Sequence, residues 1–79
     1  MKMELYEERA FDAYYKRANK TGLAVIAPSR TANMFEEDGI SYLVLSNVNG
    51  PLAIYKIDWN NQSIRYVKSP KIWKIAEEM

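Results

Sequence analysis

The 79-residue chain contains no cysteine and no histidine. No disulfide can brace the fold, and the usual ligands of zinc, iron and copper are missing. The same two absences remove the thiolate nucleophile and the imidazole general base. Glycine is scarce, at three residues, and no P-loop, dinucleotide fingerprint or G-x-S-x-G elbow occurs. Ser29 adjoins Arg30 with no base to activate it and reads as a loop serine. No apolar run approaches the ~18–20 residues that span a membrane, and the opening MKMELYEERAF lacks the apolar stretch of a signal peptide. Charge of one sign is lacking too: 11 Lys and Arg face 10 Asp and Glu, for a net charge of +1. Bulk attraction to nucleic acid or to an anionic membrane is therefore not expected. Together these absences argue for a cytoplasmic protein that is not an enzyme and carries no cofactor and no metal.

What is present is a folding pattern. The 48% hydrophobic content is ample for a single small domain over residues 1–79, although a chain of this length buries only about 60–65% of its unfolded surface. Residues 3–20 have helical periodicity, with Met3, Tyr6, Ala10, Phe11, Ala13, Tyr14 and Ala18 on one arc. Glu4, Glu7 and Glu8 precede Lys16, Arg17 and Lys20, the order that the helix dipole favours. Gly22 is placed to cap this helix. Leu23–Ala27 reads as a short strand ended by Pro28. The following connection is expected to hold one helical turn over Met34–Asp38, because Asn33 and Glu36 have capping-box spacing and Gly39 can close it. Glu36, Glu37 and Asp38 could ligate a hard cation, but without the ligand spacing of an EF-hand loop they read as a solvated acidic turn.

The segment YLVLSNVNGPLAIYKIDWNNQSIRYV, residues 42–67, carries two turn signals. With Asn49-Gly50 as a type I′ turn, Val48 opposes Pro51, Ser46 opposes Ala53, Val44 opposes Tyr55 and Tyr42 opposes Ile57. With Asn60-Asn61 as the second turn, Ile57 opposes Ile64, Tyr55 opposes Tyr66, Lys56 opposes Arg65 and Ile54 opposes Val67. One sheet face then carries Tyr42, Val44, Ala53, Tyr55, Ile57, Ile64 and Tyr66. The other carries Leu43, Leu45, Leu52, Ile54 and Val67, with Lys56, Arg65, Asp58 and Ser63 at one end. SPKIWKIAEEM closes the chain as a short helix: Ser69 is a natural N-cap, Pro70 a natural first residue, Ile72, Ile75, Ala76 and Met79 line one side, and Trp73 flanks it. The expected fold is α+β, in the order α-β-β-β-β-α. An N-terminal helix packs on a three- to four-stranded antiparallel sheet whose last three strands form a meander.

The segment ISYLVLSNVNGPLAIYKI, residues 40–57, resembles a stretch of short uncharacterised cyanobacterial proteins. It holds no chemical motif, so the resemblance implies a bacterial origin and no mechanism.

Two apolar sheet faces with only one long helix to cover them point to a non-catalytic protein-interaction module that self-associates. Its expected partner is itself, as a homodimer, or another protein. Trp73, Trp59, Leu43, Leu45, Ile54 and Val67 are the candidate interaction residues, since tryptophan is enriched at hot spots. The alternative is a single-stranded nucleic-acid binder that stacks bases on Tyr42, Tyr55 and Tyr66 and holds phosphates with Lys68 and Lys71. Against it stand the absent RNA-recognition consensus and a different topology. A small inhibitor protein from a mobile element is a further alternative, resting on size and the missing catalytic groups alone.

Overall fold

The computed structural model describes residues 3–21 and 32–78. The Gly22 cap, the strand expected at Leu23–Ala27, and Ser29 with Arg30 lie outside the described residues. Helix α1 (Met3–Thr21) is followed by strands β1 (Asn33–Glu37), β2 (Ile40–Asn47), β3 (Gly50–Asp58) and β4 (Ser63–Tyr66), then by helix α2 (Pro70–Glu77). The strands form one antiparallel sheet in the order β1-β2-β3-β4. The α+β class expected from the sequence is the class observed.

The Met34–Asp38 segment is not a helical turn. It is β1, and its turn into β2 is the two-residue Asp38-Gly39 loop between the paired Glu37 and Ile40. Both loop residues have positive φ, 53° and 79°. That conformation belongs to a type I′ hairpin, and Asp-Gly is among the pairs that adopt it most readily. Strand pairing outcompetes the Asn33/Glu36 capping spacing. It also sends Glu36 and Glu37 to opposite faces.

The β2–β3 turn is displaced by one residue from Asn49-Gly50. Asn47 pairs with Gly50, so Val48 and Asn49 form the tip. Gly50 follows them at φ 121°, and the Asn47 side chain accepts a hydrogen bond from the Asn49 backbone N–H at 2.8 Å. A tip without positive φ, followed by glycine in that region, is a common alternative hairpin closure. Leu45 opposes Ala53 while Ser46 opposes Pro51, leaving Leu52 as an extra, bulged residue. Beyond the bulge, Tyr42 opposes Lys56, Leu43 opposes Tyr55 and Val44 opposes Ile54.

A one-residue slip exchanges the faces of a whole strand. Leu43 and Leu45 therefore point to α1, whereas Tyr42 and Val44 point to α2. The β3–β4 register is as expected: Tyr55 opposes Tyr66, Lys56 opposes Arg65 and Ile57 opposes Ile64. Val67 extends the ladder by donating its N–H to the Ile54 carbonyl at 2.9 Å. Asp58 shapes that turn by accepting bonds from the backbone N–H groups of Asn60 and Asn61 and from the Asn61 side-chain amide.

Each face has its own cover. On one side, Tyr6 and Ala10 of α1 pack on Leu43, Leu45, Ala53, Tyr55 and Ile57. On the other, Ile72 and Ala76 of α2 pack on Tyr42, Val44 and Ile54, flanked by Phe35, Ile40, Val67, Trp73 and Ile75. Leu43, Leu45 and Ile54 are completely buried within the one chain. This corrects the expectation that Leu43, Leu45, Ile54 and Val67 share a wet face needing a second copy. Two of the four lie under α1, and an eight-residue α2 suffices because the face beneath it turns polar at Lys56 and Arg65. Ser69 stands at the helix start with extended backbone; its side chain makes no capping bond, and its carbonyl accepts the Trp73 N–H at 3.1 Å.

The turn geometry separates two substitutions. Gly50→Val forces a β-branched residue to φ 121° and should cost about 1–3 kcal/mol. Val48→Ser, at a fully exposed tip position, should change stability by less than about 0.5 kcal/mol. Urea midpoints measure both, and an unchanged midpoint for Gly50→Val would show that residue 50 does not hold positive φ.

Candidate partner-binding face

The α2-side sheet face is apolar where the helix lies and charged beyond it. Alternation along β3 takes the chain from buried Ile54 to exposed Lys56 and then Asp58. Along β4 and its extension it runs from Val67 to exposed Arg65 and then Ser63. Lys56 and Arg65 stand directly opposite each other. Like charges in that relation are destabilising. Neither forms an ion pair with a described residue; the ion pair found joins Lys71 to Asp38 at 3.7 Å, with both side chains largely exposed.

Asp58 is the nearest acid in the strand, two residues from Lys56. Its carboxylate is engaged elsewhere: the Asn61 side-chain amide, then the Asn61 and Asn60 backbone N–H groups and the Lys56 charge, hold its pKa below the ordinary value. A depression of about 220 Å³ lined by Lys56, Asp58, Ser63, Ile64 and Arg65 opens beside the pair. The two cations of this arrangement can receive carboxylates or other oxyanions.

The tyrosines expected to form one stacking platform are divided between faces. Tyr42 lies on the α2 side, nearly buried and stacked on Phe35 at 5.1 Å between ring centroids. Tyr55 lies under α1, edge-on to Tyr66 at 5.7 Å, and the Arg17 guanidinium sits 4.1 Å above the Tyr66 ring. Tyr42 and Tyr55 are buried, so bases cannot stack on the set. Lys68 and Lys71 are exposed, but the platform they were to flank is absent.

The tryptophans are fastened inside the chain. Trp59 meets Tyr6 edge-to-face at 5.0 Å and donates its indole N–H to the Ser41 hydroxyl at 3.2 Å, which plugs the end of the α1-side core. Trp73 donates its indole N–H to the Val67 carbonyl at 2.8 Å and pins α2 over the β4 end of the sheet. Both are half-buried. The sequence reading placed Lys56 opposite Arg65 but missed Glu37 and Asp38 as a strand end and its turn on this same side; the Asp38-Gly39 pair was the signal that could have found them.

Among the described residues, no group of three or more acidic side chains is arranged to hold a metal ion, and no helix is long and apolar enough to cross a membrane. Comparison with known proteins returns no matching family model, curated protein or solved structure.

Two predictions concern the aromatic supports. The Tyr55 hydroxyl is buried with no hydrogen-bond partner among the described residues. Its pKa is pushed up to about 12, chiefly by burial and next by Tyr66, against the opposing charge of Arg17. A phenol whose pKa is raised in the folded state favours folding below the ordinary value near 10, and that contribution is lost as pH rises through about 12. Tyr55→Phe should leave stability at neutral pH unchanged or raise it by up to about 1 kcal/mol, and should flatten the loss between pH 10 and 12. A clear destabilisation at pH 7 would mean that the hydroxyl is bonded.

For Trp73, removing the indole N–H with Trp73→Phe should cost about 1 kcal/mol. Trp73→Ala should cost about 2–4 kcal/mol and speed amide exchange in residues 72–76. Unchanged exchange would show that α2 is anchored elsewhere.

Proposed function

We propose that the chain is a small non-catalytic protein-interaction module that binds an acidic polypeptide surface through the sheet face bearing Lys56 and Arg65. The observation that carries this reading is the exposed, directly opposed Lys56–Arg65 pair without an acid committed to it. Arg65 alone has another explanation, because charges on edge strands discourage unwanted strand pairing. Lys56 does not: β3 is an interior strand, and an uncharged polar residue would keep the surface wet without repelling Arg65. A local rule broken at the surface, offset here only by an Asp58 carboxylate already bonded to its own turn, is characteristic of binding sites. The absence of cysteine and histidine in the sequence supports a non-catalytic role. Carboxylates are favoured over a polynucleotide because the site has two cations beside an acid and no accessible aromatic platform.

The test uses a fluorescein-labelled decaglutamate peptide at low ionic strength, with binding read by anisotropy. Lys56→Gln/Arg65→Gln should weaken binding about tenfold, the upper end for two exposed ion pairs. Lys16→Gln, on the exposed side of α1, should leave it unchanged. Equal binding by wild type and the double variant overturns the reading. So does an oligothymidylate that binds more tightly than the peptide and depends on the same two residues.

A further inference from the structure

We infer that the acidic surface received by Lys56 and Arg65 is that of a second copy of this chain, presented by Glu37 and Asp38. The inference rests on the reading above and names its partner. Four observations carry it. Glu37 ends β1 on the α2 side, as the partner in register of Ile40, and Asp38 follows in the turn. Lys56 and Arg65 lie on the same face, on β3 and β4. Because β2 joins β1 through Asp38-Gly39 and runs antiparallel to β3, the acidic and basic pairs also lie toward the same end of the sheet. Half-buried Ile40 lies between them, on the flank of the α2-side core.

Adjacent strands are about 4.8 Å apart, so the two patches are offset by roughly 10–14 Å across one surface. Opposite charges offset on one face form a self-complementary pattern. A two-fold axis through the surface between them lays each acidic pair on the other copy's basic pair, satisfying both at once. The Lys71–Asp38 pair, at 3.7 Å and exposed, contributes little and yields readily to a new partner. The contact is small and polar, so the dimer is weak and sensitive to salt.

Sedimentation equilibrium at high protein concentration is the measurement, with folding of every variant checked by circular dichroism. Wild type should dimerise at low salt and associate at least about tenfold more weakly in 0.5 M salt. Lys56→Glu/Arg65→Glu should be monomeric, and so should Glu37→Lys/Asp38→Asn; asparagine is chosen at 38 because it tolerates positive φ. An equimolar mixture of the two variants should recover a dimer, since each then supplies the charge that the other lacks. Lys56→Gln/Arg65→Gln is a milder variant and should also weaken the wild-type dimer. A wild type that stays monomeric at low salt, or a mixture no better than its components, overturns the inference. If decaglutamate still binds through Lys56 and Arg65 in that case, the module reading survives and only the identity of the partner falls. Loss of both results removes both.

Discussion

The hairpin joining β2 to β3 decides which side chains each helix meets. Its tip is Val48-Asn49, and Gly50 takes the positive φ that follows. From that closure come the pairings of Tyr42 with Lys56 and of Leu43 with Tyr55. Moving the turn by one residue would turn Leu43 and Leu45 away from α1 and bring Tyr42 and Val44 beneath it. The packed leucines under Ala10 and the aromatic stack of Tyr42 on Phe35 both depend on this one backbone choice.

The two helices are unequal, and the sheet is built to match. Helix α1 has 19 residues, about 28 Å at 1.5 Å per residue, and its side of the sheet is apolar from Leu45 to Ile57. Helix α2 has eight, about 12 Å, and covers Tyr42, Val44 and Ile54, flanked by Phe35, Ile40 and Val67. On β3 and β4 the same side carries Lys56, Asp58, Arg65 and Ser63. The boundary between the covered core and the proposed binding face therefore runs across the strands, between Tyr42 on β2 and Lys56 opposite it on β3.

Much of this was legible without coordinates, for reasons that differ from element to element. The 3.6-residue period of α1 and the Ser69-Pro70 start of α2 are local signals with little competition. The β3–β4 register was legible because Asp58 and the Asn residues after it anchor one turn. The β1 strand was not, because Asn33 and Glu36 imitate a helix start and the Asp-Gly turn was read as its end. The β2–β3 register was not, because an Asn-Gly pair serves two closures differing by one residue, and distant packing chooses between them. These two errors are coupled: only with β1 present as a strand does Phe35 stand beside Tyr42 and give that ring a partner on the α2 side. The Lys56–Arg65 opposition was visible in the sequence. Its relation to Glu37 and Asp38 was not, since it required the missing strand.

Because each described strand pairs with its neighbour in the chain, the sheet can grow by successive short loop closures. The β1–β2 loop has two residues between paired positions, and so does the β2–β3 loop; the β3–β4 loop has four. Hairpins of this kind form in about 1–10 μs, whereas distant strand pairings must first meet the entropy of closing a long loop. Contact order within the sheet is consequently low for a β-rich architecture. Bringing α1 back onto the finished face is the long-range event, and it is the step on which the topology places the larger entropic barrier.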